Sequence, residues 1–192
     1  MPRAAKQAAP QEADLDPILR QPRSEIEGHV LPDDGTIPNN RRLPLVIYRE
    51  ALALNGQSSA PERAFEALFK SNGWWGVWVN GIYDFHHYHS TAHEVLGIAR
   101  GFAKVMFGGP EGVVAELRAG DAAVIPAGVS HCLIEGKDLL VVGAYPEGQD
   151  WDLCRACADD RVKALENIPW VPLPKYDPVF GLSGPILTLW SD

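Results

Sequence analysis

The sequence has no run approaching the ~20 consecutive apolar residues that a membrane-spanning helix needs, and none is expected. Its three cysteines, an odd and small number for 192 residues, do not read as a disulfide framework. Basic residues are in deficit: 17 Lys and Arg stand against 25 Asp and Glu, a formal net charge of −8. Counterion release on a phosphate backbone therefore cannot drive binding, so nucleic acid and anionic membranes are excluded as expected partners. Met1 to Pro17 lacks the apolar middle region of a secretory signal, and the expected compartment is the cytoplasm. The chain also lacks a Gly-rich phosphate loop and a Gly-x-Ser-x-Gly elbow, which removes the common nucleotide and serine-hydrolase readings.

What is present suits one compact domain. Hydrophobic residues make up 46% and charged residues 22%, ordinary values for a globular chain. A chain of this length buries roughly 70% of its unfolded surface without help from a metal or disulfide. Residues 1–40 are poor in aromatics and rich in Pro, Ala, Gln and acid, and read as a flexible arm in which only Ile26 to Leu31 can pack. Leu43 to Tyr48, LPLVIY, is a strand candidate. A helix is expected over 59–72: Ser59 and Glu62 fit a capping box, Pro61 lies in the first turn, and Phe65, Leu68 and Phe69 form one stripe.

From Trp74 to Tyr145, short runs of Val, Ile, Tyr and Trp alternate with Gly, Pro and Asp punctuation, including a turn signal over Glu135 to Asp138. That texture predicts a β-sandwich or barrel, over 41–148 with the preceding helix. By alternation Trp74 and Trp78 share one face and Trp75 takes the other. Residues 149–192 read as a C-terminal extension, helical from Trp151 to about Asn167 and then Pro-rich, that packs on the barrel.

The informative segment is Gly81 to Gly101, GIYDFHHYHSTAHEVLGIARG. On a strand, His87 and His89 project from one face with Cα atoms roughly 6–7 Å apart, so both imidazoles can reach one ion at about 2.0–2.1 Å. Glu94 opens the next strand and adds an oxygen ligand. His131, after the Pro126-Ala-Gly128 turn, can re-enter the same barrel. Three imidazoles and a carboxylate suit one divalent transition metal: Fe, Mn or Ni if open positions are kept, with Co or Zn possible, and too much nitrogen for Ca or Mg.

Gly81, five residues, His87, one, His89, four, Glu94, six, Gly101 has the spacing of the first cupin motif without departure. Gly120, five residues, Pro126, one, Gly128, two, His131 resembles the start of the second. More narrowly, NGIYDFHHYHSTAHEVLGIARG and GDAAVIPAGVSH look like the bacterial YjlB-type single-domain cupins. The resemblance implies an all-β jelly-roll barrel (a double-stranded β-helix), with His87, His89, Glu94 and His131 as metal ligands. It also implies a homodimer, since lone cupin barrels commonly pair through their edges. The superfamily usually ends its second motif with Asn, where this chain has Glu135. That residue is roughly 13 Å from His131 along an extended strand and outside ligand reach.

Among the remaining polar residues, Tyr83 and Phe85 share the parity of the histidines and are expected to face the interior. Tyr83 is a candidate for substrate contact, and His93, flanking Glu94, for proton transfer. Cys154 and Cys157 form a C-x-x-C with no second pair, and ordinary packing is their expected role. The expected function is a metalloenzyme on a small organic substrate, of oxygenase or oxidoreductase type. The resemblance implies this, because three His and one Glu is the set that oxygen-dependent cupins share. An isomerase or epimerase would need a further base, Lys104 or Tyr83. A metal- or metabolite-binding module without chemistry is the other alternative.

Overall fold

The computed structural model describes residues 25–54 and 60–191. Its backbone is one antiparallel sheet curled on itself: β1 (Ile26–Leu31), β2 (Asn40–Tyr48), β3 (Trp74–Asn80), β4 (His87–Tyr88), β5 (Glu94–Phe107), β6 (Val113–Arg118), β7 (Ala122–Ile125), β8 (His131–Pro146) and β9 (Cys154–Arg155). The path runs β1-β2-β7-β5-β8-β4-β9, with β3 on β8 and β6 on β5. The helices are α1 (Pro61–Ser71), α2 (Ala158–Asn167) and α3 (Ile186–Leu189), with a 3-10 turn at Ile168–Trp170. Among the described residues no helix is long and apolar enough to cross a membrane.

The central strands are buried on both faces, which is why LPLVIY shows no polar alternation. On β2, Leu45 and Ile47 point into the barrel beside Leu96, Ile98 and Ile125. Val46 and Tyr48 point outward to a second core with Val95, Phe65, Phe69 and Trp190. Helix α1 covers that outer core, and Gly97 is where it comes closest: a Cβ there would strike the Phe65 ring. The tail seals the same core. Trp190 is buried, its Nε1 donating to the Pro44 carbonyl at 2.8 Å. Asp177 is also buried and accepts from the Tyr48 hydroxyl at 2.6 Å and from the backbone N–H groups of Val179, Phe180 and Ile186.

Ile26 to Leu31, the segment of the arm expected to pack, does so as a strand on β2, and residues 1–24 lie outside the described residues. Other expectations are corrected. Helix α1 begins at Pro61 with Ala60 as its N-cap and no side-chain cap bond; the Ser59 of the capping box lies outside the described residues. The turn expected over Glu135 to Asp138 lies inside β8, which pairs with β5 along its length through three register shifts. The two strands bend together there because Gly101, at φ +79°, lets the Lys137 and Asp138 carbonyls approach where a Cβ would collide.

Trp74 and Trp78 do not share a face. A register shift between Trp75 and Trp78 puts Trp74 in the outer core and packs Trp78 against the inner one. The helix expected from Trp151 starts only at Ala158. Before it, Cys154 and Arg155 pair with β4 as a strand, and the Asp152 carboxylate is committed to Ser90.

Candidate metal centre

His87 on β4 stands opposite His131 at the start of β8, with ring centroids 4.1 Å apart. His89 follows β4, and Glu94 opens β5 opposite Ile125 of β7. The Pro126–Gly128 turn is tied to this corner: the Gly128 N–H donates to the His89 carbonyl at 2.8 Å, at a φ of +91° that suits glycine. All four side chains are buried and line one cavity of about 450 Å³.

Two hydrogen bonds orient the imidazoles. His87 Nδ1 lies 3.3 Å from the Phe85 carbonyl, and His89 Nδ1 meets the Asp152 carbonyl. A carbonyl can only accept, so Nδ1 is the protonated nitrogen in both rings and Nε2 is left for the cavity. Glu94 Oε2 is 3.4 Å from the Nε2 atoms of both His89 and His131, and is buried with no hydrogen-bond partner of its own. The side chains are gathered but not drawn in. Among the described residues, no group of three or more His, Cys, Asp or Glu is closed to metal-holding distances.

Electrostatics divide the imidazoles. Burial, with His87 nearby, pushes His131 down to about 3. Burial also lowers His87. Burial works against a charged His89 too, but the Glu94 carboxylate and the Asp152 carbonyl outweigh it and raise the pKa. Burial would raise Glu94, yet His89, His131 and the Tyr145 hydroxyl hold it at about 2. Of the two imidazoles that face Glu94, His131 is thus pushed toward the neutral form and His89 toward the charged one.

Tyr145 is a cavity residue that the motif reading did not single out. Its hydroxyl accepts from Trp78 Nε1 at 3.1 Å, and its ring stacks on Trp151 at 4.1 Å and 6°. Burial and Glu94 raise its pKa. Asp152 was likewise missed: its carboxylate takes the N–H and hydroxyl of Ser90, and its own N–H donates to Thr91 Oγ1 at 3.1 Å. The Tyr145–Trp78 bond, within the barrel, and the Asp152–Ser90 bonds, from the C-terminal extension to it, each span a long sequence gap, so local pattern carries no signal for them.

The remaining candidates separate. Tyr83 is on the cavity rim rather than inside, 53% exposed, stacked on Phe85 at 4.8 Å and edge-on to His87 at 5.0 Å. The chain there is loop, not strand, so strict alternation does not apply. His93 does not reach the cavity. Its Nδ1 accepts from the Ala127 N–H at 3.0 Å and its ring packs 4.7 Å from Trp190, because the residue beside an inward Glu94 faces outward. Lys104, on β5 between Glu116 and Glu135, is also absent from the cavity lining. Cys154 is buried with Tyr88, Ile37 and Ala164, and Cys157 is exposed.

No protein-family model matches the chain. The YjlB protein of Bacillus subtilis (strain 168) is 38% identical over 167 residues, 86% of this chain and 97% of that protein. Among solved structures, a cupin 2 domain-containing protein from Halorhodospira halophila is similar at 16% identity and TM-score 0.33, covering 83% of this chain and 89% of that one. Acireductone dioxygenase from Bacillus anthracis, with a cadmium ion in its active centre, is similar at 16% identity and TM-score 0.36. That match covers 48% of this chain and 62% of the dioxygenase, less than two thirds of the enzyme's length. These structural likenesses are low, and family membership rests on the sequence relative.

Proposed function

The chain belongs to the YjlB family of cupins, and on that premise we propose that it is a small-molecule metalloenzyme of oxygenase or oxidoreductase type. The reading takes His87, His89, Glu94 and His131 as ligands of one divalent transition metal, with Fe, Mn or Ni ahead of Zn. The observation that carries it is the Glu94 corner. A buried carboxylate oxygen without a hydrogen-bond partner faces imidazole Nε2 atoms at 3.4 Å, and two imidazoles are fixed by carbonyls behind them. Burying an ionised carboxylate without compensation is costly, and a cation on this N/O donor set supplies the compensation.

When bound, such a metal supplies Lewis acidity and a site for oxygen activation. The protein's own groups do the rest. The Phe85 and Asp152 carbonyls hold the imidazole tautomers. The Trp78 indole occupies a lone pair of the Tyr145 hydroxyl, leaving its proton for Glu94 and favouring the ionised carboxylate. Tyr83 and Trp151 crowd the mouth and limit water entry. Of the two expected isomerase bases, Lys104 lies outside the cavity and Tyr83 lines its rim, so an isomerase reading would rest on Tyr83 alone.

The test is metal content by mass spectrometry on untagged protein purified anaerobically, beside a His87→Ala/His89→Ala control. The expected result is about one Fe, Mn or Ni per chain, absent in the control. Stoichiometric Zn would favour isomerase or lyase chemistry, and protein that stays metal-free on reconstitution would overturn the reading. The same reading takes the protein to be a cytoplasmic homodimer, checked by light scattering at twice the chain mass.

A further inference from the structure

We infer that the ligand of this cavity has an uncharged aryl body behind a chelating pair of oxygens, an inference whose chelating head rests on the metal-centre reading. Among the described residues, Glu94 is the one carboxylate lining the cavity, beside three imidazoles and two phenols, and no lysine or arginine lines it. A phosphate, a sugar acid or a dicarboxylate would have to shed water beside Glu94 with no lysine or arginine of the described lining to meet its second charge. A neutral sugar fares no better. Beyond the ligand set, the polar side chains facing the cavity are Asn80, the Tyr83 hydroxyl, the Tyr145 hydroxyl and the Trp78 indole N–H, and the last two already bond each other.

The mouth has the opposite character. Val79, Tyr83, Trp151 and Leu153 are 39%, 53%, 47% and 50% exposed, and all four line this opening. Large apolar side chains left wet around a concave opening mark a surface that an apolar body covers. The aromatic walls are already ordered: Trp151 lies flat on Tyr145, and Tyr83 lies on Phe85, whose ring carries the Arg155 guanidinium 4.1 Å from its centroid. A flat ring entering there loses little freedom to the protein and gains ring–ring contact. The volume, about 450 Å³, is in the range of small-molecule sites.

Three probes test this on the full chain by calorimetry: benzohydroxamate and acetohydroxamate, which share a chelating head and differ by phenyl against methyl, and oxalate, a dianionic chelator. On Mn(II)-loaded protein, benzohydroxamate is expected to bind about tenfold or more tighter than acetohydroxamate, and tighter than oxalate. In Trp151→Ala and in Tyr83→Ala the ratio of benzohydroxamate to acetohydroxamate affinity, measured within each variant, should shrink to about threefold or less. Leu153→Ser, at an exposed rim position, provides the same readout if an aromatic variant does not fold.

Loaded protein with an aryl preference within about twofold, or with oxalate bound tightest, overturns the inference and leaves the metal centre standing. If no metal can be loaded, the same pair is titrated by tryptophan fluorescence. A retained aryl preference then supports the aryl body while the metal reading and the chelating head fall with it, and a lost preference overturns the whole inference.

Discussion

The imidazole of His89 donates through Nδ1 to the backbone carbonyl of Asp152, so a candidate ligand in the barrel is oriented by the C-terminal extension. The Asp152 carboxylate holds that carbonyl in place. It accepts the Ser90 N–H at 2.6 Å, the Ser90 hydroxyl, and the Cys154 thiol at 3.2 Å, while Asn167 of α2 donates to Ser90 Oγ at 2.9 Å.

Asp152→Ala removes three accepted bonds without touching any ligand. Metal affinity in a chelator competition should fall about ten- to hundredfold, as for groups that orient ligating histidines. Metal stoichiometry at saturation should not change. Unchanged affinity would show that the His89 ring is held without the Ser90 clamp.

Glu94→Gln keeps the shape and removes the charge. In chelator-treated protein the variant should be less stable than the parent by about 1–3 kcal/mol, because the imidazole and Tyr145 hydroxyl that hold Glu94 ionised lose their charged partner. The parent should gain thermal stability on adding metal through preferential binding to the native state, and the variant should gain almost none. Thermal melts with and without Mn(II) measure both. An equal gain in the two proteins would remove Glu94 from the ligand set.

How much of this was legible follows from how local each feature is. The strand parity of His87 and His89, the opening position of Glu94, and the turn before His131 are all spaced within single segments, so sequence placed them. The LPLVIY strand was legible for the same reason. Trp78 was misplaced because one register shift reverses parity beyond it, and nothing in WWGVWVN but its glycine marks that shift. Tyr145 and Asp152 escaped notice because their partners, Trp78 and Ser90, lie 67 and 62 residues away. The early end of the expected C-terminal helix has the same origin. Within it, Cys154 and Arg155 are held extended by pairing with β4, a tertiary contact that outweighs helix propensity.

Close backbone approaches give a packing prediction. A Cβ at Gly143 would overlap the Trp78 indole, and one at Gly97 the Phe65 ring. Gly143→Ala and Gly97→Ala should each destabilise by about 1–3 kcal/mol in urea unfolding. Only Gly143→Ala should also disturb the cavity, by displacing the indole that donates to Tyr145. The readout is a changed probe affinity in Gly143→Ala beside an unchanged one in Gly97→Ala.

Far from the cavity, Tyr48 and Asp177 set the response to alkali. Burial first, then the Asp177 carboxylate that accepts from it at 2.6 Å, raises the Tyr48 hydroxyl above the usual tyrosine range. Tyr88 and Tyr145 are raised as well, mainly by burial. The folded state therefore favours the protonated phenols. Their stabilisation is fully present below the unfolded value of about 10 and is lost as pH climbs from there toward the folded values, by about 1.4 kcal/mol per pH unit for each tyrosine.

The buried Cys154 thiol, pushed up to about 12, adds a fourth contribution in this window, so Tyr48→Phe should make the fall in stability between about pH 10 and 11 shallower by about a quarter. At neutral pH the variant should be less stable by about 1–3 kcal/mol, since Asp177 Oδ2 keeps only the Ile186 N–H, at 3.3 Å. Urea unfolding across that pH range measures both effects, and a slope identical to the parent's would mean that Tyr48 ionises outside the folded core.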